Sequence, residues 1–85
     1  MHLKNKTLHF VGIGGIGMCG LAELLYNLGC RVTGSDLHSG SQVRRLNKMG
    51  IPISIGHSPL NVHETTDIVI YSSAVTEDNV ELAVA

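Results

Sequence analysis

The sequence of 85 residues has little of what several classes of protein require. Its two cysteines, Cys19 and Cys30, are too few for a disulfide framework and lack the spacing of a metal site. Six basic and seven acidic residues give a net charge of −1, which excludes a general attraction to nucleic acid. No apolar stretch is long enough to span a membrane, and no signal-peptide core is present. We therefore expect a cytoplasmic domain with reduced thiols and no membrane or nucleic-acid partner.

Several catalytic patterns are also missing. The sequence contains no recognisable nucleophile–base pair, no metal-ligand cluster and no G-x-x-x-x-G-K-[ST] loop for ATP. It is nevertheless 44% hydrophobic and only 15% charged, a composition typical of a folded globular chain. We therefore expect this stretch of chain to bind a ligand without catalysing a reaction, and to contain no catalytic residue and no metal site.

The residues that are present predict strands alternating with helices. Apolar runs predict strands over 7–12, 31–36, 51–56 and 67–73, and Pro52 favours a sheet-edge position for the third. Helical spacing predicts helices over 15–28 and within 39–50, the second capped by Ser39 or Ser41 and ended by Gly50. Right-handed crossovers then give an α/β Rossmann-like domain of three layers, a parallel sheet of order 3-2-1-4 with helices on both faces.

The stretch "VGIGGIGM" follows the first predicted strand and satisfies the G-x-G-x-x-G pattern. In this pattern Gly12 allows a tight turn, Gly14 leaves room for a pyrophosphate, and Gly17 allows the helix to pack closely on the sheet. The first acidic residue of the following helix is Glu23, which leaves the positive end of the helix dipole open to a phosphate. The alternative is a glycine-rich turn that only packs a helix onto a strand.

Further polar residues follow the other predicted strands, so all of them lie at the carboxyl edge of the sheet. Asp36 stands where Rossmann proteins place an acid that accepts from ribose hydroxyls, although it could equally cap a turn. His57, Ser72 and Ser73 are candidates only because of their position at this edge. From the residues alone, the site is one for a dinucleotide or a nucleoside diphosphate.

Four segments resemble the N-terminal domain of the Mur ligase family. They are "HFVGIGGIGMCGLAELL" (9–25), "VTGSD" (32–36), "IGH" (55–57) and "SSAVTEDNVEL" (72–82). The resemblance implies that residues 1–85 form the UDP-sugar-binding domain of a three-domain cytoplasmic ligase whose other two domains lie outside this sequence. Within the family, the member that adds L-alanine fits the glycine loop better than the ligase that recycles murein tripeptide.

The resemblance also implies a reaction and a set of site residues. The whole enzyme would use ATP and Mg²⁺ to join L-alanine to UDP-N-acetylmuramate in peptidoglycan synthesis, whereas this domain alone would be inactive and need no cofactor. The residues implied to face the diphosphate are Gly14, Gly15, Ile16 and Gly17. Those implied to surround the uridine are Ser35, Asp36, His57, Ser72, Ser73 and Ala74.

Two other functions fit the same glycine pattern. One is the NAD-binding half of a dehydrogenase, which the spacing of Gly12, Gly14, Gly17 and Asp36 cannot distinguish from a UDP-sugar site. The other is a nucleotide-sensing regulatory module, which predicts a stable homodimer. Neither alternative accounts for the four segments of family resemblance.

Overall fold

The computed structural model describes residues 4–58, 61–72 and 79–84. Two helices separate the first three strands of these ranges, and a third helix follows the fourth strand. The elements are β1 (Thr7–Val11), α1 (Met18–Asn27), β2 (Arg31–Asp36), α2 (Ser41–Met49), β3 (Ile53–Ile55), β4 (Ile68–Tyr71) and α3 (Val80–Val84).

The four strands form one parallel sheet in the order β3-β2-β1-β4, which confirms the predicted topology. Leu8 in the central strand β1 pairs with Val32 on one side and with Ile68 on the other. The short strand β3 lies at the edge, as Pro52 predicts. Pro52 lacks an N–H group, but its carbonyl oxygen accepts a hydrogen bond from the Gly34 amide at 3.0 Å.

The two faces of the sheet are covered differently. Leu8 and Phe10 of β1 belong to an apolar core with the buried residues of α1 and α2. His9 and Val11 alternate with them and therefore lie on the opposite face. Glu81 of α3 contacts His9 there, so helices cover both faces and the predicted three-layer arrangement is confirmed.

The glycine loop is longer than predicted, because α1 begins at Met18 and not at Gly15. The Gly15 amide closes a turn onto the Gly12 carbonyl at 3.0 Å. Gly17 has φ +83°, which is outside the helical region and places it before the first helical residue. The backbone amides of this loop are therefore available for contacts other than the helix's own hydrogen bonds.

The cap predicted for α2 is wrong. Gly40 occupies the N-cap position with no side-chain hydrogen bond, whereas Ser41 is already the first helical residue and Ser39 lies outside the helix. The predicted end is confirmed, since Gly50 adopts a left-handed conformation with φ +111° and terminates the helix.

The glycine loop is seated on β2 by a close approach of backbone and side chain. The buried Ile13 side chain packs directly against Gly34, where an added Cβ would lie 2.5 Å from Ile13 Cδ1 and 2.9 Å from Ile13 Cβ. The amides of Gly12 and Ile13 donate to the Ser35 carbonyl at 2.9 and 3.0 Å. The position of the loop therefore depends on the absence of a side chain at residue 34.

We predict that Gly34→Ala lowers the free energy of unfolding by about 1–3 kcal/mol, the usual cost of overpacking a core. The matched control is Gly20→Ala, because an added Cβ at this position in the first turn of α1 meets nothing within 4 Å. That control should raise stability by up to about 1 kcal/mol through helix propensity. Chemical denaturation of both variants checks the pair, and equal stabilities would contradict the role of Gly34.

Candidate functional site

A cleft of about 450 Å³ lies at the carboxyl ends of the strands, where the sequence predicts the site. Its volume is within the range of small-molecule binding sites. The cleft lies between the glycine loop, the end of β2 and the start of α2. Its lining residues are Gly12, Gly14, Gly15, Asp36, His38, Gly40, Ser41, Gln42, Val43 and Ser72.

Most backbone amides of the glycine loop are already hydrogen bonded within the protein. Beyond the two amides bonded to the Ser35 carbonyl, Gly14 donates to Asp36 Oδ2 at 2.8 Å. In the part of the chain that the structure describes, the amides of Ile16 and Gly17 have no partner. These two amides lie at the N-terminus of α1, whose first turn contains no acidic residue. They are the donors that remain for an anion.

Two loop glycines are required for reasons other than those predicted. An added Cβ on Gly14 would lie 2.8 Å from Val43 Cγ2 and 3.0 Å from Asp36 Oδ2, so side chains of the protein itself already occupy the adjacent space. The prediction that Gly17 allows close helix–sheet packing is wrong, because nothing lies within 4 Å of its Cβ position. Gly17 is instead required by its positive φ. Gly12, with φ +78°, makes the predicted tight turn.

Asp36 connects the end of β2 to the glycine loop. Its Oδ2 accepts from the Gly14 amide and its Oδ1 from the His38 amide at 3.2 Å. The turn-capping role considered for this residue is therefore present. Each carboxylate oxygen can accept a second hydrogen bond, so contact with a ribose stays a prediction.

The structure separates the predicted site residues into two groups. Gly14, Gly15, Asp36 and Ser72 line the cleft, and the neighbouring Ile16 has a fully exposed side chain. The side chains of Ser35 and His57 lie in a buried polar cluster described below and do not line the cleft. Ser73 and Ala74 lie outside the described residues.

The polar cluster surrounds the carboxylate of Glu81, whose side chain is 0% exposed. Each of its oxygens accepts more than one hydrogen bond. The donors come from β1, β2 and the segment after β3: His9 Nε2 (2.7 Å) and Ser35 Oγ (2.7 Å) to Oε1, and Asn61 Nδ2 (2.8 Å), the Ser58 amide (3.0 Å) and His57 Nδ1 (3.2 Å) to Oε2.

These contacts keep Glu81 charged. Burial by itself raises the pKa of the carboxyl group, but the hydrogen bonds from His9, Asn61, Ser35 and the Ser58 amide outweigh it. Together they lower the pKa from the ordinary 4.5 to about 2. Glu81 is therefore a carboxylate throughout the neutral range.

Sequence reasoning assigned no role to His9 or to Glu81. A signal was nevertheless present in "TLHFV", where a histidine interrupts an apolar strand and needs a buried partner. Glu81, inside the apolar segment "VELAV", has a carboxylate that can accept a hydrogen bond from such a histidine.

Within the described ranges, no helix is long and apolar enough to cross a membrane. The same ranges contain no group of three or more His, Cys, Asp or Glu residues arranged to hold a metal ion. Neither Cys19 nor Cys30 forms a disulfide, and of the two only Cys30 is buried.

Comparison with known proteins gives concordant matches. Residues 7–85 match the model of the Mur ligase family, catalytic domain. A UDP-N-acetylmuramate–L-alanine ligase from Xanthobacter autotrophicus is 53% identical over 93% of this chain and 17% of its own length. The corresponding ligase from Bdellovibrio bacteriovorus is 47% identical over 100% of this chain and 18% of its own length.

A solved structure agrees in fold as well as in sequence. The crystal structure of the UDP-N-acetylmuramate-alanine ligase from Thermotoga maritima has a TM-score of 0.86 and 42% identity to this chain. The match covers 91% of this chain and 18% of that structure. The chain thus spans less than a fifth of the length of the relatives that it matches.

The Glu81 cluster predicts a specific pH dependence of stability. Because the pKa of Glu81 is lowered in the folded chain, its ionised carboxylate stabilises the fold fully above pH 4.5. This stabilisation is lost as the pH falls toward about 2. The difference between these two pKa values corresponds to about 3 kcal/mol. The difference in free energy of unfolding between the wild-type chain and Glu81→Gln should therefore decrease by about 3 kcal/mol as the pH falls from 4.5 to about 2.

Denaturation midpoints measured between pH 5 and pH 2 check this prediction. The control is Glu23→Gln, which removes an exposed carboxylate that pairs with Arg45 far from the cluster. The difference in free energy of unfolding between the wild-type chain and this control should change much less over the same pH range. A pH-independent gap between wild type and Glu81→Gln would contradict the assigned charge state.

Proposed function

Because the chain belongs to the Mur ligase family, we propose that it binds the UDP part of UDP-N-acetylmuramate. The whole enzyme would be the cytoplasmic, ATP-dependent ligase that joins L-alanine to this sugar nucleotide in peptidoglycan synthesis. The named relatives support this assignment, since both curated relatives and the solved structure are ligases of that substrate pair.

The observation that carries the proposal is that the amides of Ile16 and Gly17 have no partner among the described residues. Two adjacent N–H groups at a helix N-terminus favour a phosphate group, and the helix dipole adds to this attraction. The first turn of α1 contains no carboxylate that would compete for the position. We therefore assign the diphosphate to the loop formed by Gly14, Gly15, Ile16 and Gly17, with the amides of Ile16 and Gly17 as its hydrogen-bond donors.

The nucleoside would extend from the cleft beside this loop along the carboxyl edge of the sheet to His57, which follows β3. Asp36 and Ser72 line the cleft and supply an acceptor and a hydroxyl group. We keep Ser73 and Ala74 in the proposed uridine site on the family resemblance alone. Ser35 has a buried side chain, so we assign it an indirect role through its hydrogen bond to His57.

ATP and Mg²⁺ do not fit these residues. The sequence has no phosphate-binding loop with a lysine, and the described part of the chain has no carboxylate cluster arranged for a cation. We assign activation of the muramyl carboxyl group by ATP, and attack by the L-alanine amine, to parts of the enzyme other than these 85 residues. The role proposed for this domain is to bind and orient one substrate.

We predict that UDP-N-acetylmuramate, and not NAD, perturbs the site. In an NMR titration of the ¹⁵N-labelled chain, the amide shifts should cluster at 14–17, at Asp36 and at Ser72. NAD at the same concentrations should leave these resonances unchanged. The same cluster responding to NAD alone would overturn the proposal in favour of the dehydrogenase alternative.

We also predict that Gly17→Asp weakens binding of UDP-N-acetylmuramate roughly tenfold or more relative to Gly17→Asn. The two side chains have the same shape, and both tolerate a positive φ better than other residues. Only the aspartate adds a negative charge beside the proposed diphosphate, where like charges a few ångström apart repel. Calorimetric titration of both variants, with their stabilities as a check, measures the charge effect alone. Equal affinities would show that no phosphate lies at this helix end.

A further inference from the structure

The hydrogen bonds of His57 define its tautomer. His57 Nδ1 lies 3.2 Å from Glu81 Oε2 and 3.0 Å from Ser35 Oγ. A carboxylate can only accept hydrogen bonds, and the Ser35 hydroxyl proton is already donated to Glu81 Oε1 at 2.7 Å. An unprotonated Nδ1 would therefore place its lone pair against two electron-rich oxygens. Nδ1 must be the nitrogen that carries hydrogen.

This assignment leaves the other ring nitrogen as an acceptor. In a neutral imidazole with hydrogen on Nδ1, Nε2 has a free lone pair. Within the ranges that the structure describes, Nε2 has no hydrogen-bond partner, and the His57 side chain is 15% exposed. His57 follows β3 at the carboxyl edge of the sheet, the edge at which parallel α/β folds bind ligands.

The same carboxylate also fixes the backbone around His57. Glu81 Oε2 accepts from the Ser58 amide and from Asn61 Nδ2, and Asn61 Nδ2 also donates to the Gly56 carbonyl at 3.0 Å. On the other side, His9 donates to Oε1 and sets the orientation of the carboxylate. Both the ring and the loop that carries it are thus held through one side chain.

We propose that Glu81 is a positioning residue that holds His57 as the Nδ1–H tautomer, so that Nε2 presents an acceptor to an N–H or O–H group of the bound nucleoside. The part of this proposal that concerns the ligand rests on the proposed function. The part that concerns the tautomer is a property of the free chain and does not depend on any ligand.

The first test is a long-range ¹⁵N–¹H NMR spectrum of the histidine rings of the wild-type chain, without ligand. It is recorded at about pH 8, above the model-peptide histidine pKa of about 6.5. The expected result is a protonated Nδ1 and an unprotonated Nε2 for His57, assigned by the loss of its signals in His57→Ala. A protonated Nε2 with an unprotonated Nδ1 would overturn the proposal.

The second test uses variants with two readouts, the tautomer of His57 and the affinity for UDP. Glu81→Leu, which removes both acceptor oxygens, should shift His57 toward the Nε2–H form and weaken UDP binding roughly 2- to 12-fold, the range for one neutral hydrogen bond. The control Glu23→Leu should change neither readout. If Glu81→Leu does not fold, Ser35→Ala serves instead: it leaves the Glu81 contact and should retain the tautomer. Loss of the tautomer in Ser35→Ala would assign the role to the serine and overturn the proposal.

A double-mutant cycle shows whether Glu81 acts through His57. In a His57→Ala background, Glu81→Leu should cause no further loss of UDP affinity. An equal loss in both backgrounds would overturn the positioning role. If the wild-type chain binds no UDP compound, the proposed function and the ligand part of this inference both fail, while the NMR spectrum still decides the tautomer.

Discussion

A carboxylate removed from water must be surrounded by hydrogen-bond donors, and the second face of this sheet is organised around that requirement. Glu81 accepts hydrogen bonds from β1, β2 and the segment after β3, and through it α3 contacts the central strands. An apolar residue in its place would leave His9 and Ser35 buried without their acceptor. This face is therefore closed by specific polar contacts, whereas the opposite face is closed by apolar packing.

Ser35 connects this polar cluster to the ligand cleft. Its carbonyl oxygen accepts the amides of Gly12 and Ile13 and so fixes the glycine loop, while its hydroxyl donates to Glu81 on the second face. The backbone of Ser35 therefore supports the glycine loop, and its side chain supports the polar cluster. A shift of β2 along its length would therefore disturb both the hydrogen bonds of the loop amides and the polar cluster around Glu81.

The parts of the structure that could be predicted from sequence are those set by local patterns. Strand order follows from short strands, helical connections and the handedness of crossovers, all of which can be read from neighbouring residues. The His9–Glu81 contact joins positions 72 residues apart, and no local pattern specifies it. The reason for Gly17 was missed because the fingerprint gives spacing and not φ. The N-cap of α2 was missed because serines flank Gly40 on both sides.

The glycine pattern could not distinguish a dinucleotide site from a sugar-nucleotide site, because it specifies backbone groups and not side chains. The loop offers an anion only backbone N–H groups, and these are identical in every protein that has the turn. They therefore recognise a diphosphate without regard to the nucleoside attached to it. Discrimination must come from side chains at the strand ends, and the protonation of such a side chain matters as much as its position. A histidine fixed as an acceptor at that edge selects for N–H and O–H groups and against other acceptors, which the loop amides cannot do.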